Sequence, residues 1–175
     1  MIILQISDFN NFHQFAQSND DNPLLQSYID RFEESYIKQI LGVELGQLFI
    51  DDIKGEDSDS SAISDRFLAI LDPFMKQDHC GIWESKGMKD LLASLVFYHY
   101  ASDTQVRHTQ SGITLSSSEV SNILSPETAM RFGEQKWNDA LKSIWAIQWL
   151  CGTFDEKTYP EFLGTIFKAK YYPLL

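Results

Sequence analysis

The chain has 175 residues, 43% of them hydrophobic and 22% charged, with 12 Phe, 7 Tyr and 4 Trp. That length and balance support one domain with a self-sustaining core, and they exclude intrinsic disorder, a collagen-like repeat or a disulfide scaffold as the main description. Asp plus Glu number 25 against 14 Lys plus Arg, a net charge of −11, which disfavours both release of counterions from nucleic-acid phosphates and docking on anionic lipid.

In chain order, Ile2 to Ile6 is a short apolar run that reads as a strand or an extended arm. Ser7-Asp8 offers an N-cap for a short helix from Phe9 to Gln17, with Phe9, Phe12 and Phe15 on one face. After a polar turn at 18–23, Leu24 to Leu41 carries the clearest 3.6-residue stripe: Leu25, Tyr28, Ile29, Phe32, Tyr36, Ile37, Ile40 and Leu41. Asp30, Glu33, Glu34 and Lys38 are assigned to the solvent side, Glu34 and Lys38 as an i,i+4 pair. Gly42 is expected to be the left-handed stop. Val43 to Ile53 reads as a second helix with Leu45, Leu48, Phe49 and Ile53 inward, followed by an acidic, Ser-rich loop at 54–61. That loop lacks the residue order of a calcium-binding loop.

Ser64 caps a helix through Phe67, Leu68, Ile70 and Leu71, which Pro73 ends. Gln77 to Gly87 is expected to be a loop. Lys86 to Thr104 forms the next long helix, with Met88, Leu91, Leu92, Leu95, Val96 and Tyr98 in the core and His99 at its margin. Residues 105–118, around Gly112-Ile113-Thr114-Leu115, form a hairpin or extended excursion. Ser125-Pro126 opens the last helix, which runs to about Leu150 and is ended by Gly152. Its aromatic band of Trp137, Leu141, Ile144, Trp145, Ile147, Gln148 and Trp149 is too wide for a narrow stripe, and implies burial on two sides, by the core and by a partner. The tail at 153–175 is apolar for a terminus and should pack onto something. The expected fold is mainly α: a compact bundle of about five or six helices in one domain (1–175), with one short β-hairpin-like excursion.

Candidate chemistry is sparse. Walker A, G-x-G-x-x-G, H-E-x-x-H and G-x-S-x-G are all absent from the sequence. Cys80 and Cys151 form no C-x-x-C, which fits a reduced environment, and His79 beside Cys80 supplies too few ligands for zinc. His99 and Asp103, four apart on one helix, read as a local hydrogen bond or ion pair ahead of a weak divalent site. His108 with Ser111 or Ser117 has no orienting third group. Cys151 sits among apolar neighbours, which favours an inert thiol. No catalytic, cofactor-binding or metal residue is assigned. No run of 18 apolar residues is present, and Met1 to Asp8 lacks a basic n-region, so synthesis in a cytoplasm is expected.

The pattern Tyr28-Ile29-x-x-Phe32-Glu33-x-x-Tyr36-Ile37-x-x-Ile40-Leu41-Gly42-x-x-Leu45 resembles the N-terminal helix pair of the head–tail connector (adaptor) proteins of tailed phages and prophages, in particular those of Bacteroidetes. Leu95-Val96-Phe97-Tyr98-His99-Tyr100, Thr109-x-x-Gly112-Ile113, Trp137-Asn138-Asp139-Ala140-Leu141 with Ile147-Gln148, and Tyr159-Pro160-x-Phe162-x-Gly164 follow in similar order. The resemblance implies a virion structural protein, not an enzyme, made in the host cytoplasm. It implies a ring, often of twelve copies, that joins portal to tail and lines the DNA exit channel. DNA would pass without specific binding, since an acidic lumen repels phosphate. Copies would meet head to tail through two different patches. The candidate interface residues are Arg107, Ile113, Leu115, Trp145, Trp149, Tyr159, Phe162, Tyr171 and Tyr172. No cofactor and no membrane are expected.

Two other readings stand beside this one. The first is a generic acidic helical interaction or scaffolding module of a bacterium, which the flanking genes would discriminate. The second is a small metal-dependent hydrolase using His99, Asp103 or His108, which metal analysis would discriminate.

Overall fold

The computed structural model describes residues 2–11, 23–55, 63–79, 81–104, 106–109, 112–115, 126–155, 157–165 and 167; for 10–11, 104, 106–109, 112–115, 126–130 and 132 the description covers the backbone. The protein is mainly helical. Its helices are α1 (Pro23–Leu41), α2 (Val43–Lys54), α3 (Asp65–Leu71), α4 (Met88–Thr104) and α5 (Pro126–Trp149). Two antiparallel hairpins join them: β1 (Phe74–Asp78) with β2 (Gly81–Ser85), and β3 (Val106–Thr109) with β4 (Gly112–Leu115).

The core follows from the helical periodicities. Leu25, Ile29, Ile37 and Ile40 of α1 meet Leu91, Leu92, Leu95 and Val96 of α4 and Leu141, Ile144 and Ile147 of α5 in one buried cluster. Helix α2 adds Leu45, Phe49 and Ile50, and α3 adds Phe67 and Ile70. At about 1.5–3 kcal/mol per buried large apolar side chain, this cluster is the main stabilising term.

The second hairpin lies where the glycine-flanked, β-branched run predicts it. The first hairpin corrects the expectation of a loop at 77–87. Pro73 does end α3, but the chain then pairs Phe74 with Ser85, Lys76 with Trp83 and Asp78 with Gly81. The turn is held by Gly81 N–H donating to Asp78 Oδ1 at 3.0 Å.

Of the two readings of Ile2–Ile6, a strand or an extended arm, the strand does not form; the run leads into a 3₁₀ turn at Ile6–Asn11, while the rest of the expected 9–17 helix lies outside the described residues. Two further expectations need correction. Glu33 is not on a solvent face: it is 1% exposed. Its carboxylate accepts the backbone N–H groups of Ile2 (2.7 Å), Ile3 (2.6 Å) and Leu4 (2.6 Å), which ties the N-terminal segment to α1 and seats Leu4 in the core. Gly152 does not end the last helix. The chain winds on through a π-helical turn, Leu150–Phe154, which suits π-turns' habit of extending α-helices.

Gly42 has φ 92° and ψ 161°, a backbone conformation open to glycine, and it is the N-cap of α2. This junction receives the tail. Leu163 N–H donates to Leu41 C=O (3.2 Å) and Thr165 N–H to Gln39 C=O (2.9 Å). Gln148 Nε2 donates to both Ile40 C=O (3.1 Å) and Thr165 C=O (2.8 Å), so α5 bolts the tail to the end of α1. The apolar tail therefore packs onto its own chain as far as Phe167, which is 8% exposed.

Candidate interaction surface

Hairpin β1–β2 lies along α5. Trp83 stacks on Trp149, ring centroids 5.2 Å apart at 9°. Trp149 Nε1–H donates to Asp78 Oδ2 at 2.9 Å. Phe154, in the π-turn, packs 4.8 Å from Trp149 and beneath the Lys76 ammonium at 4.6 Å. The wide band on α5 thus has its second side covered at Trp149 by the chain's own hairpin.

Strand alternation places Met75, Gln77, Ile82 and Glu84 on the face turned away from α5. Met75 is 66% exposed and Ile82 65%. Trp145 of α5 is 44% exposed and Phe154 of the π-turn 49%. Ile82, Trp83, Trp145, Ser143, Lys142 and Asp139 line one groove of about 410 Å³. Trp83 Nε1 is shielded from solvent and has no hydrogen-bond partner among the described residues. Ile82 and Trp145, exposed along one groove of an acidic molecule, form an apolar surface of the kind that marks interaction sites.

The sequence-assigned interface residues divide. Trp145 lies in this patch. Trp149 borders it but is 9% exposed. Tyr159 is 2% exposed, and its hydroxyl donates to Arg66 C=O at 2.6 Å, so it fixes the tail to α3. Phe162 is partly buried against the core, next to Gly152, where an added Cβ would come within 2.9 Å of its ring. Arg107 falls on β3, and Ile113 and Leu115 on β4, in the backbone register Arg107↔Thr114, His108↔Ile113 and Val106↔Leu115. Tyr171 and Tyr172 lie outside the described residues. Met75, Ile82 and Phe154 were missed. The signal for Met75 and Ile82 was apolar residues standing between polar ones in a segment bounded by Pro73 and Gly87.

The chemistry-bearing residues sit in structural roles. His99 stacks on Phe32 at 4.2 Å and 10°, with its Nε2 2.5 Å from the Tyr36 hydroxyl. Asp103 accepts from the Tyr28 hydroxyl at 2.7 Å. These belong to an aromatic seam in which Tyr36 also meets Trp137 and Phe167. Burial pushes the Tyr36 hydroxyl from 10.0 up to about 12. Cys151 is fully buried, and burial pushes its thiol up to about 12, far from a reactive thiolate. His79 is exposed at the tip of the first hairpin. Cys80 and His13 lie outside the described residues, and the side chain of His108 is not described. Among the described residues no three His, Cys, Asp or Glu converge to hold a metal ion, and no helix is long and apolar enough to cross a membrane.

The chain matches no family model, no curated protein and no solved structure.

Proposed function

We propose that this chain is a non-catalytic virion assembly protein of the head–tail connector kind. Copies form a ring between portal and tail, and DNA passes through the lumen without specific binding. One observation carries the reading: a buried helical core leaves Met75, Ile82, Trp145 and Phe154 exposed, and Ile82 and Trp145 line one groove between the first hairpin and α5. In water that surface is unfavourable by about 25 cal/mol per Å² of apolar area, and burial against another protein removes the cost. The net charge of −11 supports the second half of the reading. A ring multiplies that charge by its copy number, and like charge keeps the DNA backbone off the wall. The order of helices, excursion and tail that resembles connector proteins is the third support.

The exposed patch would serve a bacterial scaffolding module equally well, and the flanking genes separate the two. Portal, capsid and terminase genes support the connector; a signalling or metabolic operon supports the module. The physical test is electron microscopy of the purified chain mixed with the portal protein encoded beside it. Rings seated on the portal are expected. Free portal with unassociated chain contradicts the proposal.

A further inference from the structure

Among the described residues, the strands of each hairpin pair only with each other. In an antiparallel pair every second residue turns its N–H and C=O away from its partner strand. On the first hairpin, β2 is the strand packed closer to α5, and among the described residues no further strand lies beyond β1. The hairpin is firmly seated by the Trp83–Trp149 stack and the Trp149–Asp78 hydrogen bond. Among the described residues it is therefore a fixed template with one open edge. An isolated two-stranded hairpin is marginal in water, and open edges invite pairing unless blunted by charge or proline.

The second hairpin has the matching properties. Its register puts Val106, His108, Ile113 and Leu115 on one face and Arg107, Thr109 and Thr114 on the other. Strand β4, Gly-Ile-Thr-Leu, is β-branched and uncharged, and in its two-stranded sheet it pairs with β3 alone. The stretch 104–118 contains Arg107 and no Asp or Glu, within a chain of net charge −11. The first hairpin carries Asp78 and Glu84 against Lys76. The two hairpins are thus of opposite net sign, and each has one face bearing apolar residues: Met75 and Ile82 on one, Val106, Ile113 and Leu115 on the other.

We propose that β4 of one copy adds to the β1 edge of a second copy, giving a four-stranded sheet in the order β2–β1–β4–β3 across the contact. The exposed apolar face at Met75 and Ile82 then continues into Ile113 and Leu115. The contact is head to tail, because each copy offers one edge and one hairpin, and it can close into a ring. This inference rests on the self-assembly reading above and names where copies meet.

The test uses two surface variants of the full chain, followed by light scattering across a concentration series. Met75→Lys/Gln77→Lys charges the receiving edge, and Ile113→Lys/Leu115→Lys charges the added strand. Wild type is expected to form species of several times 20.1 kDa, and each variant alone to remain monomeric. A mixture of the two is expected to form 1:1 dimers and nothing larger, since each copy retains one intact half. Should the hairpin variant fail to fold, a mixture of Gln77→Cys and Ile113→Cys copies, both with Cys80→Ser, is expected to give the mixed disulfide. Wild-type association that survives both charged variants overturns strand addition and leaves assembly standing. So does a Gln77→Cys homodisulfide in place of the mixed one, which indicates symmetric edge pairing. A cross-link within one doubly substituted copy, or a mixture that stays monomeric, also overturns it. Wild type that is monomeric throughout overturns this inference and the self-assembly reading together.

Discussion

Replacing Glu33 by Gln removes a buried charge that three N–H groups surround, and the geometry sets the size of the effect. Oε1 accepts from Ile3 and Leu4, and Oε2 from Ile2, at 2.6–2.7 Å. Hydrogen bonds to an ionised partner are worth about 1.5–3 kcal/mol each. Glutamine keeps one acceptor oxygen without the charge and turns an NH₂ donor toward the Ile2 N–H, so one bond is lost and two weaken. If the segment detaches, Leu4 (0% exposed) and Phe9 (1%) leave the core as well, at about 1.5–3 kcal/mol apiece. A net loss of about 2–4 kcal/mol is expected where the segment stays partly docked, and for a chain of this size that is about 5–15 °C in Tm. Thermal denaturation followed by circular dichroism gives the stability. Hydrogen exchange at the Ile2, Ile3 and Leu4 amides gives the mechanism, with slow exchange in the wild type and fast exchange in the variant. Unchanged Tm together with unchanged protection of those amides would refute the reasoning, because the carboxylate would then not be holding the segment.

Further predictions follow from the tail, the thiol and the tyrosine seam. Gly164→Ala sets a Cβ 2.2 Å from Ile40 C=O, so the tail must lift from the end of α1 and stability should fall by about 2–4 kcal/mol, read by urea denaturation. In a Cys80→Ser background, Cys151 should resist a disulfide thiol reagent in the native state and react fully in denaturant, because its thiol is buried and pushed up to about 12; rapid native reaction would contradict its burial. Tyr36 is raised from 10.0 to about 12 in the folded state. A group raised on folding contributes stability that is complete below the unfolded value and lost as pH rises through the folded one. Stability should therefore fall between pH 10 and 12, with tyrosinate absorbance showing Tyr36 ionising late, and Tyr36→Phe should flatten part of that slope. Trp145→Ala, at a site 44% exposed, should change Tm little, because exposed substitutions stay within about 0.5 kcal/mol, yet weaken association.

Much of the fold was legible because helices announce themselves by period and punctuation. The stripe from Leu25 to Leu41, the proline before β1 and Pro126 at the start of α5 all act through local backbone chemistry. The β3–β4 hairpin was legible through Gly112 and its β-branched neighbours. The β1–β2 hairpin was not, because its inner face mixes Phe74 and Trp83 with Lys76, Asp78 and Ser85. Asp78 is accommodated by the Trp149 indole, a partner 71 residues away, Lys76 by the Phe154 ring and Ser85 by the Gly87 N–H. Glu33 shows residue type overriding position: it stands four residues after Ile29 and three before Tyr36, on the inward stripe, yet its charge sent it to the solvent side. What pairs with it, the N–H groups of Ile2 to Leu4, lies about 30 residues upstream. Of the candidate surface, Trp145 was visible in the sequence. Met75, Ile82 and Phe154 were not, since Ile82 meets Trp145 only when the hairpin lies down on α5 and Phe154 reaches Trp149 only because the π-turn carries it past Gly152.

The most direct test of the account is sedimentation velocity of the chain with the portal protein encoded beside it, for wild type and for Ile82→Lys/Trp145→Lys. The account predicts a multi-copy complex with wild type, and with the variant a fully folded chain that sediments alone at its 20.1 kDa mass. A variant that enters the complex as readily as wild type, or a wild type that stays separate from portal and from itself, would contradict the claim that this exposed apolar surface is where the protein does its work.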